Sequence, residues 1–296
     1  MYPNWPSYAQ PSEALASVVH RYEIYESRKD RIPTTYMLYP SFASSFFFRF
    51  SSPKSSFFIG KNAIDHDLGE SYIVPPSISP LQFLMGEGQH VLRVIFKPGA
   101  LSDLYPISLK EFTYPIKDLQ EALGDHRDSG YLTPTQFTCP TAYIQAFEQH
   151  ILHQQQAHHT GRDFFQRMYH ICRQHFFLLS VQELADLLHL SRRHLNRLTN
   201  KIFGFSAKDS LRIMRFAQAV KLLEQKCPVS LPQIALQCGY ADQSHFCHDF
   251  KSMPALTPKH YLKMIEDKEL IQSQGDCLLN GLFLNQSKSQ QALYVA

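Results

Sequence analysis

Several signatures that would define a chemistry are missing from this 296-residue sequence. It contains no Gly-x-Ser-x-Gly elbow, P-loop or dinucleotide fingerprint, which argues against the enzyme classes built on those motifs. No apolar run approaches the ~18 residues of a membrane-spanning helix. The N-terminus also lacks the basic and apolar stretches of a secretory signal. We therefore expect a cytoplasmic protein with no catalytic site and no membrane partner.

Metal-binding patterns are missing as well. No cysteine belongs to a Cys-x-x-Cys pair, so we expect reduced thiols rather than a zinc site. His66 and His90 lie in a region with neither a His-x-His pair nor a downstream Glu at ligand spacing. We predict no metal site and no cofactor. The six cysteines are Cys139, Cys172, Cys227, Cys238, Cys247 and Cys277.

Charge is present but unevenly distributed. Residues 180–263 contain twelve Lys and Arg against six Asp and Glu, whereas the whole chain has a formal net charge of only +3. The remainder of the chain is therefore net acidic. A basic C-terminal region beside an acidic N-terminal one points to a polyanionic partner for the basic region.

The residue pattern predicts an α+β protein with a β-rich N-terminal half and an all-α C-terminal half. Short aromatic and β-branched runs such as Phe46–Phe50, Ser71–Pro75 and Val91–Phe96 alternate with glycine and proline, which is typical of a small barrel or sandwich. The predicted segments are an N-terminal extension (1–30, with a polar stretch that could be helical), a β-rich sensor or dimerisation domain (31–125), a helical connector (126–177), a helix-turn-helix unit (178–265) and a mostly disordered tail (266–296).

An imperfect repeat of about fifty residues dominates the C-terminal half. The first copy runs from Ser180 to Ala207 and the second from Ser230 to Pro258. Leu184-Ala185 matches Ile234-Ala235 fifty positions on, and Leu195 matches Phe246 fifty-one positions on. Each copy has a short apolar helix, a tight turn and a capped polar helix, the pattern of a helix-turn-helix unit.

The first copy carries the more basic outward face. Ser191 is placed to cap its second helix, an apolar Leu195, Leu198 and Ile202 face is expected to be buried, and Gly204 to end the helix. Arginine can pair with guanine and asparagine with adenine, and either can hold a phosphate. The predicted DNA-binding residues are Arg192, Arg193, Asn196, Arg197 and Lys201, with Arg193, Asn196 and Arg197 favoured for base edges.

The second copy repeats this plan with milder side chains. Asp242 is the expected cap, and Phe246 and Phe250 the expected buried pair. The side chains left to face outward are Gln243, Ser244, His245, His248 and Lys251. A weaker reader and a packing module with incidental polar residues both remain compatible with this pattern.

A single helix from Lys208 to Gln225 is predicted between the copies. Its length of roughly 27 Å, with the turns at its ends, approaches the ~34 Å of one DNA turn. The two second helices of the repeat are therefore expected to enter successive major grooves. For Arg212 and Arg215 the sequence leaves phosphate contact and simple solvation equally open.

Residues 180–262 resemble the DNA-binding domain of the AraC/XylS family of bacterial transcription regulators. The resemblance rests on Leu184-Ala185, Ser191-x-x-x-Leu195-x-Arg197, Arg215-x-x-x-Ala219, Ile234-Ala235-x-x-Cys238-Gly239-Tyr240 and Leu256-Thr257-Pro258. Thr199, Ala207 and Ala255 depart from the residues common in that family. The resemblance implies seven helices and base contacts at Arg193, Asn196, Arg197, Ser244 and His248.

The same resemblance implies partners. These are double-stranded DNA, RNA polymerase, a small-molecule effector at the N-terminal domain, and a second copy in a homodimer. Residues 31–125 resemble, more weakly, the cupin-like domains attached to such regulators, through Phe96-x-Pro98-Gly99-Ala100. Their aromatic residues could line an effector pocket, although filling a core is the commoner role. The competing hypothesis is a cupin-type sensor or enzyme whose helical unit binds another protein.

Overall fold

The structure is a computed structural model of the whole chain. Both halves contain regular secondary structure whose placement can be described. The described residues are 7–26, 34–50, 56–59, 62–64, 70–85, 88–105, 107–112, 116–124, 134, 137, 139–154, 160–224, 230–253 and 256–266. The expected tail, 266–296, lies outside these residues apart from its first position.

The N-terminal half is built on antiparallel strands, as the short aromatic runs predicted. The strands are β1 (Ser7–Ala9), β2 (Val19–Glu26), β3 (Thr34–Leu38), β4 (Ser45–Arg49), β5 (Ser56–Ile59), β6 (Asn62–Ile64), β7 (Ser71–Val74), β8 (Leu81–Met85), β9 (His90–Phe96) and β10 (Lys117–Asp118). Among the described residues they form a six-stranded sheet, ordered β1-β2-β9-β4-β7-β10, and a four-stranded sheet, ordered β3-β8-β5-β6.

In the described strands the two sheets pack face to face and neither closes on itself, which is the sandwich alternative rather than the barrel. Phe47 and Tyr25 of the larger sheet meet Phe83 of the smaller one, with ring centroids 5.5 and 6.1 Å apart. A buried carboxylate, Glu23, accepts hydrogen bonds from Arg21, Arg93 and Tyr25 on the same face. Burial opposes ionisation of Glu23, but the two guanidiniums outweigh it and lower its pKa.

In the segment 1–30, which was expected to be an N-terminal extension, the described residues 7–26 supply two strands of the larger sheet. The polar stretch for which a helix was considered is strand β2, which pairs along its length with β9. The alternation explains why: Tyr22 and Ile24 face one side of the sheet, whereas Glu23 and Tyr25 face the other, and both sides are covered. Period-2 burial favours a strand there although several of the residues are polar.

Ten helices are described. They are α1 (Ala100–Leu104), α2 (Leu119–Leu123), α3 (Pro140–Gln154), α4 (Thr160–Gln174), α5 (Val181–Leu187), α6 (Arg192–Phe203), α7 (Ala207–Glu224), α8 (Leu231–Gln237), α9 (Gln243–Ser252) and α10 (Pro258–Glu266). Within the described ranges, no helix combines the length and apolarity needed to cross a membrane.

The two connector helices pack in different places. The apolar stripe of α3, including Tyr143 and Phe147, covers the outer face of the larger sheet beside Phe48. Helix α4 instead contributes Phe164, Phe165 and further apolar residues to the core of the C-terminal helices. The first connector helix therefore packs on the sheet domain, and the second packs in the core of the C-terminal helices.

A buried polar joint fixes the start of α4 to the N-terminal half. The Asp103 carboxylate accepts hydrogen bonds from the backbone N–H groups of Gly161 and Arg162, at 2.6 and 3.3 Å, and from Arg162 Nε at 2.9 Å. The backbones meet so closely that a Cβ on Gly99 would lie 2.3 Å from the Gly161 carbonyl. Gly99 also has φ +80°, so glycine is required there for both reasons.

Candidate nucleic-acid interface

The first helix-turn-helix unit, α5–α6, is stabilised by local caps. Ser180 and Glu183 form a reciprocal capping box at the start of α5. The Ser191 hydroxyl accepts from His194 N–H at 3.1 Å, which confirms the predicted cap of α6. Gly204 ends that helix in the left-handed conformation, with φ +83°, as expected. Short-range sequence signals therefore fix both ends of α6.

The faces of α6 divide as its pattern predicted. Leu195 and Ile202 are buried in the C-terminal core, and Leu198 packs against it from a partly buried position. Thr199, which departs from the residue common in the family, is fully buried, and its hydroxyl donates to the Asn196 carbonyl at 3.1 Å. The five predicted DNA-binding residues of this unit, Arg192, Arg193, Asn196, Arg197 and Lys201, are all exposed on the helix.

Asn196 already has a structural partner. Its Oδ1 accepts a hydrogen bond from the Ala207 backbone N–H, the first residue of α7, at 3.1 Å. The position fifty-one residues after Ala207 is Pro258, the first residue of α10, and proline has no N–H to donate. Cys247 correspondingly stands where the first copy has Asn196. An acceptor at this position is thus useful in the first unit and unnecessary in the second.

The second unit, α8–α9, repeats the same local design. The Asp242 carboxylate accepts from His245 N–H at 2.8 Å and caps α9, as predicted. Phe246 and Phe250 are fully buried, and their rings lie 5.5 Å apart. Ser244, His245, His248 and Lys251 are exposed, and Gln243 is half-buried. The helix ends at Ser252, and Ala255, one of the departures from the family pattern, lies outside the described residues.

The linker helix is α7, within one residue of its predicted bounds. Arg212 is not simply solvated: its Nε donates to Asp249 Oδ1 at 2.9 Å, across to α9. Arg215 is half-buried, with its guanidinium carbon 5.7 Å from the centre of the Tyr240 ring. Both arginines thus hold the second unit against the linker, a role that neither of the two alternatives anticipated.

The N-terminal half touches the first unit directly. Phe42, in the loop before β4, has ring centroids 5.0 Å from Phe165, 5.0 Å from Phe203 and 5.4 Å from Phe205. A Cβ added to Gly204 would come within 3.0 Å of the Leu109 carbonyl oxygen. The C-terminal end of α6 is therefore packed against the N-terminal domain.

Sequence reasoning did not assign the contacts that Asp249, Tyr240 and Phe42 make around the two units. For Asp249 a signal existed, because an acidic residue next to the buried Phe250 on a helix expected to approach phosphates requires a cationic partner. Nothing local marks Phe42, whose partners lie more than a hundred residues away. In the part of the chain that the structure describes, no group of three His, Cys, Asp or Glu is arranged to hold a metal.

Comparison with known proteins locates the best-matched segment in these helices. Residues 184–264 match the family model described as a helix-turn-helix domain. The chain is 34% identical over 85 residues to an uncharacterized HTH-type transcriptional regulator from Haemophilus influenzae, which covers 29% of this chain and 28% of that protein. It is 37% identical over 75 residues to the HTH-type transcriptional regulator GlxA from Rhizobium meliloti, covering 25% and 23%.

These matches are partial: the chain spans less than a third of the length of either curated relative. Among solved structures, ToxT from Vibrio cholerae O395 aligns over 82% of this chain and 97% of its own, at 15% identity and a TM-score of 0.43. The family-model match itself, residues 184–264, spans both helix-turn-helix units.

Proposed function

We propose, from the premise that residues 184–264 are a helix-turn-helix domain of the AraC type, that this chain is a sequence-specific DNA-binding transcription regulator. The observation that carries the proposal is the pairing of two helix-turn-helix units on one 18-residue linker helix. Helix α7 is roughly 27 Å long. This length spaces α6 and α9, the two recognition helices, for successive major grooves. The names of the curated relatives support the same conclusion.

The two units contribute unequally to this function. The exposed guanidiniums of Arg193 and Arg197 are suited to guanine edges, and Arg192 and Lys201 to phosphates. The side-chain oxygen of Asn196 accepts a hydrogen bond from the first residue of α7, and its amide N–H groups can donate to a base. In the second unit Ser244 and His248 are assigned to base edges, with Gln243, His245 and Lys251 beside them. Charge favours a site read mainly through the first unit.

The N-terminal domain is assigned a modulating role. Its Phe42 and Leu109 contact the C-terminal end of α6. A rearrangement of the sandwich would therefore change the position of α6 through these direct contacts. A small-molecule effector, a second copy of the chain and RNA polymerase are the partners that complete a regulator of this kind. The domain bounds that we propose remain 31–125 for the sensor and 178–265 for the DNA-binding unit, with β2 added to the sensor.

Selection of bound sequences from a random duplex library tests this function. We expect two unequal half-sites with centres about one helical turn apart, ~10 base pairs. Affinity for the selected duplex should fall steeply between low and moderate salt, because each neutralised phosphate releases counterions. Recovery of no preferred sequence, together with binding that ignores salt, would refute the proposal and favour a protein-interaction module.

A further inference from the structure

The Asp249 carboxylate lies where three parts of the second unit meet. It belongs to α9, its Oδ1 accepts from Nε and Nη2 of Arg212 on α7, and its Oδ2 accepts from the Tyr240 hydroxyl at 3.1 Å. Tyr240 stands in the turn between α8 and α9. Asp249 is only 8% exposed. One carboxylate therefore ties the recognition helix to the linker helix and to the preceding turn.

The arginine of this cluster is itself held in place. Its Nη2 also donates to Ser252 Oγ at 3.2 Å, and its Nη1 lies 3.5 Å from Asp209 Oδ1, one turn back on α7. Partial burial disfavours the guanidinium charge, but the hydrogen bonds and charges of Asp249 and Asp209 raise the pKa of Arg212. These hydrogen bonds and charges thus favour the charged form of the guanidinium.

The remaining contacts of α9 are apolar and less directional. Phe250 packs on Phe216 of α7 and on Tyr261 of α10, with centroids 5.0 and 5.8 Å apart. Apolar burial depends mainly on area, so such contacts tolerate a small rotation of the helix. The hydrogen bonds from Arg212 Nε and Nη2 to Asp249 Oδ1 are more directional, because a hydrogen bond weakens steeply as its donor angle departs from linear. The polar cluster therefore defines the orientation of α9 on α7.

No such cluster stands at the matching positions of the first unit. The residues fifty-one and fifty positions before Asp249 and Tyr240 are Leu198 and Leu190, and both pack against the apolar core. The internal packing of a helix-turn-helix unit therefore does not require the polar pair. Its presence in the second unit needs a different explanation, namely the attachment of that unit to the linker.

We propose that Asp249, Arg212 and Tyr240 form a spacing lock, which fixes the distance and rotational phase between the two recognition helices. The spacing lock rests on the proposed DNA-binding function. It adds that the protein requires a nearly fixed distance between the two half-sites. These three are positioning residues, since each acts through the orientation of α9 and none needs to touch a base. One base pair rotates a half-site by about 35°, so a rigid α9 tolerates little change in spacing.

A spacer series tests the lock. The duplex selected from the library is rebuilt with one or two base pairs inserted or deleted between the half-sites, and the Kd is measured for each duplex. For the unmodified protein we expect a loss of about tenfold or more at the altered spacings. For Asp249→Asn, which nearly preserves the shape of the side chain, we expect the ratio between altered and original spacing to shrink below about threefold.

Two further variants separate positioning from a general loss of stability. Arg212→Gln should flatten the spacer dependence as Asp249→Asn does, and the double variant should be no flatter than either single one, because each opens the same lock. Lys208→Gln, an exposed charge change on the same linker helix, should weaken binding by the same factor at every spacing. Equal weakening at all spacings for Asp249→Asn as well would overturn the lock.

The remaining outcomes are also decisive. If Asp249→Asn fails to fold, Tyr240→Phe removes only the hydroxyl and keeps the ring packing, and a spacer dependence unchanged from the unmodified protein would then count against the lock. If the unmodified protein binds no duplex in a salt-sensitive manner at any spacing, the proposed function fails and the lock falls with it. A binding protein with no spacing preference would overturn the lock alone.

Discussion

The two helix-turn-helix units share one local plan and differ in their attachments. Each has a capped second helix with two buried residues at matching positions, Leu195 and Thr199 in the first unit and Phe246 and Phe250 in the second. The first unit is fastened by apolar contacts to the N-terminal domain through Phe42, whereas the second is fastened by the ion pair of Arg212 and Asp249 to the linker helix. A duplicated motif can therefore keep its helix caps and its buried positions while its outer contacts are specialised for different neighbours.

Loss of the contact between the first unit and the N-terminal domain should have the largest effect on stability. Phe42→Ala removes a ring that is 2% exposed and packs against three other aromatic rings. We expect a stability loss of about 3–5 kcal/mol, as for other buried phenylalanines. A urea titration measures the loss, and binding to duplexes with one intact half-site should fall more for the first half-site.

The matched variant in the second unit is Phe246→Ala, which should lower affinity for the second half-site instead. If Phe42→Ala weakened both half-sites equally, the separate attachment of the two units would be wrong. Both variants remove one buried aromatic ring, so overall destabilisation alone does not distinguish them.

Unequal reading of the two half-sites is tested next. Arg197→Ala should cost about 1–3 kcal/mol of affinity and relax the preference at one position of the first half-site. His248→Ala should cost the second half-site about 1 kcal/mol or less, because an imidazole lacks the two-point contact that a guanidinium can make with a base. Arg167→Ala, the same charge change at an exposed site on α4, is the control. A base preference unchanged by Arg197→Ala would remove Arg197 from the readers.

The smallest expected effect concerns Asn196, whose equivalent in the second unit is Cys247. Asn196→Ala leaves the Ala207 N–H without its acceptor and should cost about 1 kcal/mol of stability. Asn196→Asp keeps an acceptor, so we expect near-normal stability but weaker DNA binding. Combining Asn196→Ala with Ala207→Pro, which removes the donor as Pro258 does in the second unit, should abolish the cost. Thermal unfolding measures all three, and an undiminished cost in the proline background would contradict this role.

Local patterns were sufficient to predict most of the C-terminal half. Ser191 and Asp242 as caps, Gly204 as a terminator and the Phe246–Phe250 pair depend on neighbours within a few residues, which the sequence displays directly. Strand β2 was missed because its polar residues are paired inside the sandwich, with partners far along the chain. The open sandwich likewise depends on strand order, which no local period encodes.

The sequence by itself determined the existence, ends and polar faces of the two recognition helices, because helix caps and apolar periodicity act over one or two turns. Only the tertiary structure decided what those helices are fastened to. Arg212 reaches an acid thirty-seven residues away, and Phe42 reaches aromatic rings more than a hundred residues away. Contacts of that range depend on how the elements pack, and they distinguish a unit coupled to the N-terminal domain from one locked to the linker helix.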